Sequence, residues 1–184
     1  MRYFIGFMVT ILLLILLIFL IFRSNGNKST PRVTARDLTS YSTTDAVAIF
    51  TTDGPINADS IHQQDKIIVG NSKVTFQVIQ GYNGNVVSQH DYANNQNAYY
   101  QFLSALSKAG FTKGIKTKAG SEDGLCSTGN RYIYELSQNG QDIERYWSTT
   151  CGNPSSFQGN PNLTMTLFQA QVPDFGQVSQ GLQL

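Results

Sequence analysis

RYIYELSQNGQDIERYWS, residues 131–148, carries the strongest structural signal in the chain. Aromatic and aliphatic residues alternate with polar ones at a period of two, the pattern of a strand with one face in a core and the other in water. In its middle, Asn139-Gly140 readily takes the positive φ angles of a two-residue type I′ turn, whose twist matches the strands on either side. That turn pairs Gln138 with Gln141, Leu136 with Ile143, Tyr134 with Arg145 and Tyr132 with Trp147. One face then carries Tyr132, Tyr134, Leu136, Ile143 and Trp147 as core. The other sets Glu135 opposite Glu144, which is tolerable only in water.

Upstream, residues 45–52 read as a first strand closed by Asp53-Gly54-Pro55. Residues 66–69 and 73–80 follow, with Val74, Phe76 and Val78 alternating against Thr75 and Gln77. Asn83-Gly84 turns the chain back into a strand over 86–92. Tyr99, Phe102, Leu103 and Leu106 then stand at i, i+3, i+4 and i+7, one face of a helix. Asn94 or Asn95 caps its start, Gly110 suits its left-handed end, and Phe111 is placed for the apolar contact that accompanies such endings. Downstream, Asn160-Pro161 opens a second helix carrying Leu163, Leu167 and Phe168 and stopped by Pro173. The expectation is an α+β domain, an antiparallel sheet of about five to six strands with two helices. Each half reads as a hairpin turned by Asn-Gly and then a helix, which fits either tandem duplicated units or two uses of one common motif.

Residues 3–22 (YFIGFMVTILLLILLIFLIF) contain neither charge nor proline. Twenty helical residues rise about 30 Å, the thickness of a bilayer's hydrocarbon core. A cleavable signal peptide has a shorter apolar run and small residues at its cut site; Phe22-Arg23-Ser24-Asn25 offers none. The expected organisation is a transmembrane anchor over 1–23, a flexible linker over 24–44, an α+β domain over 45–175 and a flexible tail over 176–184. A pilin-like subunit is the alternative that Arg2, Gly6-Phe7 and the apolar helix invite. Pilins carry an acid early in the mature helix where this chain has Ile11, and here the helix breaks at Ser24-Asn25-Gly26-Asn27.

Charge is unevenly spread. Five basic residues and no acid precede Asp37; from Asp37 onward eight Lys and Arg face twelve Asp and Glu, a net of −4. Nucleic-acid binding needs a concentrated basic face, and a domain of that balance is not expected to bind it. Arg2 lies before the apolar helix and Arg23, Lys28, Arg32 and Arg36 lie after it, so a literal count of flanking charge sets the domain in the cytoplasm. Two features argue the reverse: a surface rich in Ser, Thr, Asn, Gln and Tyr, and the cysteines. Extending the hairpin pairing makes Cys126 a diagonal neighbour of Cys151, about 7–8 Å away by Cα. A bulge at Gly129 would bring them within disulfide reach, and disulfides form outside the cytosol. The alternative is two free buried thiols. We expect the disulfide, and with it a single-pass cell-membrane protein whose C-terminal domain is extracytoplasmic.

No catalytic set stands out. His90 beside Asp91 reads as a surface hydrogen bond, and a Cys126–His90–Asp91 arrangement fails if the cysteine is in a disulfide. A metal site from Asp59, His62 and Asp65 would be exposed and unsupported, so neither metal nor cofactor is expected. Glu135 and Glu144, about 5 Å apart as cross-strand neighbours, have the look of a glycosidase pair but sit on a hairpin with no cleft implied. Glu122-Asp123 lacks the oxygen ladder of a calcium loop. Asn27-Lys28-Ser29 and Asn162-Leu163-Thr164 fit the N-glycosylation pattern. Tyr100 and Tyr146 fall off the apolar faces of their elements and are the candidate binding aromatics, since exposed Tyr suits sugar and protein contacts.

The segments YYQFLSAL (99–106), CSTG (126–129), YWSTTC (146–151) and LFQAQVPD (167–174) are similar to uncharacterised single-pass envelope proteins of candidate-phylum bacteria of the Saccharibacteria type. The resemblance covers most of the domain. It implies the anchor, the α+β fold and a Cys126–Cys151 pair, and carries no activity with it. The expected function is a membrane-anchored binding module whose partner is an envelope protein or glycan, with an envelope-acting hydrolase as the competing class.

Overall fold

Asn139 and Gly140 have φ of 53° and 73°, the positive pair that a type I′ turn requires. In the computed structural model, which describes residues 37–115, 121–152, 155–182 and 184, this turn joins β5 (Arg131–Gln138) to β6 (Gln141–Thr149). Gln138 faces Gln141 and Ser137 faces Asp142, but the register then slips and Leu136 faces Glu144. Ile143 is the extra residue of a β-bulge. The expected pairs Leu136–Ile143, Tyr134–Arg145 and Tyr132–Trp147 therefore do not form; Tyr134 faces Tyr146 and Ile133 faces Trp147. A slip of one residue exchanges the two faces of a strand, so Tyr146 takes the core position foreseen for Trp147. The shifted register also sets Arg145, not Glu144, opposite Glu135, with Nε 3.1 Å from Oε1. An opposite-charge pair replaces a like-charge one, which favours the bulge.

The other strands are β1 (Val47–Asp53), β2 (Gln63–Val69), β3 (Lys73–Gln80) and β4 (Asn85–Ala93). All six pair antiparallel in the order β4-β3-β2-β1-β5-β6. The α+β fold with one antiparallel sheet is as the sequence led us to expect. β1 to β4 form a meander, and α1 (Gln96–Ala109) carries the chain from the β4 edge back to β5, beside β1. Asn95 caps α1 by accepting from the Ala98 N–H at 2.9 Å, and Gly110 ends it with φ of 80°. Tyr99, Phe102, Leu103 and Leu106 are buried, as is Phe111 just past the end. Asn160 caps α2 (Pro161–Gln169), which buries Phe168 and leaves Leu163 exposed. A short α3 (Phe175–Val178) follows.

Phe168 ties these layers together. Its ring lies 5.5 Å from Phe50 of β1, 5.1 Å from Phe102 of α1 and 5.8 Å from Phe111. Phe50 in turn meets Tyr132 and Tyr134 of β5. The helices thus cover the face of the sheet that carries Ala48, Phe50, Ile67, Val69, Val74, Phe76, Tyr134 and Leu136.

The domain is longer than expected at both ends. Residues 38–44, assigned to the linker, include a 3-10 turn (Leu38–Thr43) that buries Leu38 and Ser42, and the compact unit starts at Asp37. Within the expected tail, Val178 and Leu182 pack against the core. These apolar residues stand singly, so no periodicity reveals them. The expected anchor over 1–23, the linker as far as residue 36 and the Asn27-Lys28-Ser29 pattern lie outside the described residues. Among the described residues no helix is long and apolar enough to cross a membrane.

Candidate functional site

Cys126 and Cys151 form a disulfide, their Cα atoms 5.6 Å apart. The diagonal gap is closed by a tight turn: Cys126 has φ of 50° and its carbonyl accepts from the Gly129 N–H at 3.1 Å. Gly129 is required there, since a Cβ would come within 2.3 Å of Thr150 Oγ1 and 2.8 Å of Cys126 Sγ.

The remaining candidates do not converge. Tyr100 is exposed on α1, but Tyr146 is a core residue only 3% exposed, a consequence of the bulge. Its hydroxyl donates to Glu144 Oε2 at 2.6 Å. Glu144 and Glu135 consequently point to opposite faces of the sheet and make no glycosidase pair. Glu122 is buried and held bidentately by Arg145, which also reaches Glu135. Burial pushes the Glu135 carboxyl above its ordinary value, against the pull of Arg145. His90 is exposed on β4 beside Ser88, while Asp91 accepts from Thr75 Oγ1 on the other face. In the Asn162-Leu163-Thr164 pattern Asn162 is exposed in the first turn of α2 while Thr164 is fully buried.

His62, expected at the surface, is wholly buried. Asp59 and Asp65 do not join it: Asp59 accepts from the Tyr82 N–H at 2.7 Å, and Asp65 from the Thr52 N–H at 3.1 Å. Among the described residues no cluster of His, Cys, Asp or Glu could hold a metal. His62 instead belongs to a different group. Its Nδ1 donates to the Pro55 carbonyl at 3.0 Å, and its Nε2 lies 2.9 Å from Asp53 Oδ1. Asp53 Oδ2 accepts from Arg131 Nε at 2.7 Å. Arg131 Nη2 donates to the Gly54 carbonyl at 2.6 Å and Nη1 to the Leu125 carbonyl at 3.3 Å. The side chain of Arg131 is only 3% exposed. Asp53 is thereby held by Arg131 through Oδ2, with the His62 ring against Oδ1.

Asp53 and Arg131 form the floor of a cleft of about 460 Å³ on the face of the sheet that the helices leave uncovered. One wall is the loop after β1, with Ile56; the other is the disulfide-bearing loop before β5, with Asp123 and Gly124. The Ile56 N–H donates to the Ser127 carbonyl at 2.8 Å, tying one wall to the other. Gln64 of β2 and Tyr82 of the β3–β4 turn complete the lining. Tyr82 stacks on the His62 ring with centroids 4.1 Å apart and planes 13° from parallel. Its hydroxyl donates to the Asn57 carbonyl and accepts from the Asn57 N–H.

No family model and no curated protein matches this chain.

The cleft had no signature in the sequence. Asp53 and Arg131 are brought together by the β1–β5 pairing, and nothing in the sequence near either residue announces the other. The nearest clue was Asp53-Gly54-Pro55, a turn that places a carboxylate at the end of a central strand.

Proposed function

We propose that the chain is a membrane-anchored, extracytoplasmic binding module whose ligand enters the cleft at the end of the sheet. The observation that carries this is the Asp53–Arg131–His62 group. Asp53 Oδ2 accepts from Arg131 Nε, its Oδ1 lies 2.9 Å from His62 Nε2, and the His62 ring has no exposure. That ring is buried behind Tyr82 and makes its contacts inside the protein, so it presents no exposed acid or base to a ligand, as acid–base catalysis needs. What faces the cleft is a set of groups already fixed in place, which lowers the ordering cost of binding. The disulfide supports an oxidising compartment, and the apolar run over 3–22 supports the anchor.

Photo-crosslinking of the full chain in cells tests this reading. A crosslinking side chain at Ile56, exposed at the cleft, should capture a ligand; the same group at Leu163, exposed on α2, should not. Equal capture at both positions, or none at either, would sink the proposal. Blocking of thiols in intact cells with a membrane-impermeant reagent, before and after reduction, reports the compartment. Cys126 and Cys151 should react only after reduction, and from outside.

A further inference from the structure

Resting on the reading of the cleft as a ligand site, we infer that its ligand is an uncharged, hydroxyl-rich molecule: a glycan unit lying against Tyr82. Three features point there. The first is how the cleft's charges are used. Among the described residues the only cation in the lining is Arg131, whose side chain is almost wholly buried and whose Nε, Nη1 and Nη2 each donate within the protein. Among these residues a phosphate or carboxylate ligand would meet Asp53 and Asp123 without an accessible counter-charge, and charged groups lose much of their hydration in a cleft. Anionic ligands are therefore disfavoured. A cationic ligand would sit above the Arg131 guanidinium, which already pairs with Asp53 Oδ2.

The second feature is Tyr82. This residue is 49% exposed, yet its ring is not free to turn. The His62 ring backs it in parallel, Asn57 holds the hydroxyl through both backbone groups, and Asp59 holds its N–H. A flat aromatic surface fixed before the ligand arrives suits the C–H face of a pyranose ring. A polar ligand with an apolar face is what a half-wet, half-apolar Tyr accommodates.

The third is Gln64. As a strand residue facing Ile79 of β3 and Asp53 of β1, it is positioned by the sheet ladder. Its Nε2 lies 3.4 Å from His62 Nε2, which leaves the amide oxygen and a second N–H for a sugar hydroxyl, itself both donor and acceptor. The cleft's volume of about 460 Å³ falls in the range of about 300–1,000 Å³ typical of sites that enclose small molecules.

The test uses the full chain with its disulfide intact, in lipid nanodiscs, because sugar-headed detergents would themselves compete. Saturation-transfer NMR and calorimetry compare neutral oligosaccharides of glucose and N-acetylglucosamine, a galacturonate oligomer of equal length, and a short Lys-containing peptide. A neutral oligosaccharide should bind, with transfer to its ring C–H protons. Tyr82→Ala should weaken binding at least tenfold, and Gln64→Ala several-fold without a change in melting temperature. Leu163→Ala should leave it unchanged. Gln64→Ala keeps the test decisive if Tyr82→Ala loosens the loop. Binding of the galacturonate or the peptide alone would overturn the glycan inference and leave the cleft reading standing. So would an absence of binding to every probe together with Ile56-specific crosslinking. Silence in both experiments would remove the two together.

Discussion

Asp65 is a buried carboxyl on the core side of β2, and its burial pushes its pKa from 3.8 up to about 6. The folded state thus holds this proton more tightly than the unfolded chain does. The sign follows from linkage: the contribution to stability is fullest below the unfolded value and is lost as pH rises through about 6. A shift of this size corresponds to at most about 3 kcal/mol. Asp65→Asn keeps an oxygen to accept from the Thr52 N–H but has no charge to bury. It should raise stability at pH 7.5 by up to that amount, and reduce the gain that the native protein shows on acidification from pH 7.5 to 5. Urea unfolding at the two pH values measures both; identical pH profiles for the two proteins would show that burial of Asp65 carries no such cost. At this scale the sequence was a poor guide. Tyr100 is exposed as expected, but His62 and Tyr146 are inside and Tyr82 is the aromatic at the cleft. Which face a single residue takes depends on neighbours supplied by other strands, and local pattern does not contain them.

The tight turn from Cys126 to Gly129 is the element that lets the hairpin be cross-linked. Gly129→Ala would drive a methyl group into Thr150 Oγ1 and Cys126 Sγ. The expected cost is that of an overpacked site, about 1–3 kcal/mol, together with slower closure of the Cys126–Cys151 bond on oxidative refolding. Denaturant midpoints and free-thiol titration during refolding measure the two effects, and a variant that refolds and melts like the native protein would refute the steric argument. Elements were legible wherever the pattern is local. The apolar stripe of α1, its Asn95 and Gly110 ends, the Asn139-Gly140 turn and the Asn160 cap all stand where expected, because each is set by spacing within a dozen residues. The bulge at Ile143 was not, although it decides which face Tyr146 and Trp147 occupy. A bulge is chosen by what the shifted register brings together, here Glu135 with Arg145 and Tyr134 with Tyr146, and a sequence records that choice only indirectly.

Across the whole molecule, the disulfide joins residues 25 apart and fixes the loop whose Leu125 carbonyl holds Arg131 and whose Asp123 and Gly124 wall the cleft. Reduction should cost about 3.5 kcal/mol by the loop-entropy model and should also lower ligand capture at Ile56, since Ser127 in the same loop anchors the Ile56 N–H. Urea unfolding and crosslinking with and without reductant test the two parts. Loss of stability with full capture would mean that the cleft keeps its shape without the clasp. The sheet order has a further consequence for a chain still being made. The first four strands can assemble by local pairing, but the inner flank of β1 finds its partner only when β5, some eighty residues later, arrives. Until then the nascent domain presents a bare run of amide and carbonyl groups along what will be its middle, and the sheet is completed from the centre last. Long-range closure of this kind is slow and leaves an adhesive intermediate, so this protein is at greatest risk in its first moments, before the final hairpin seals the seam.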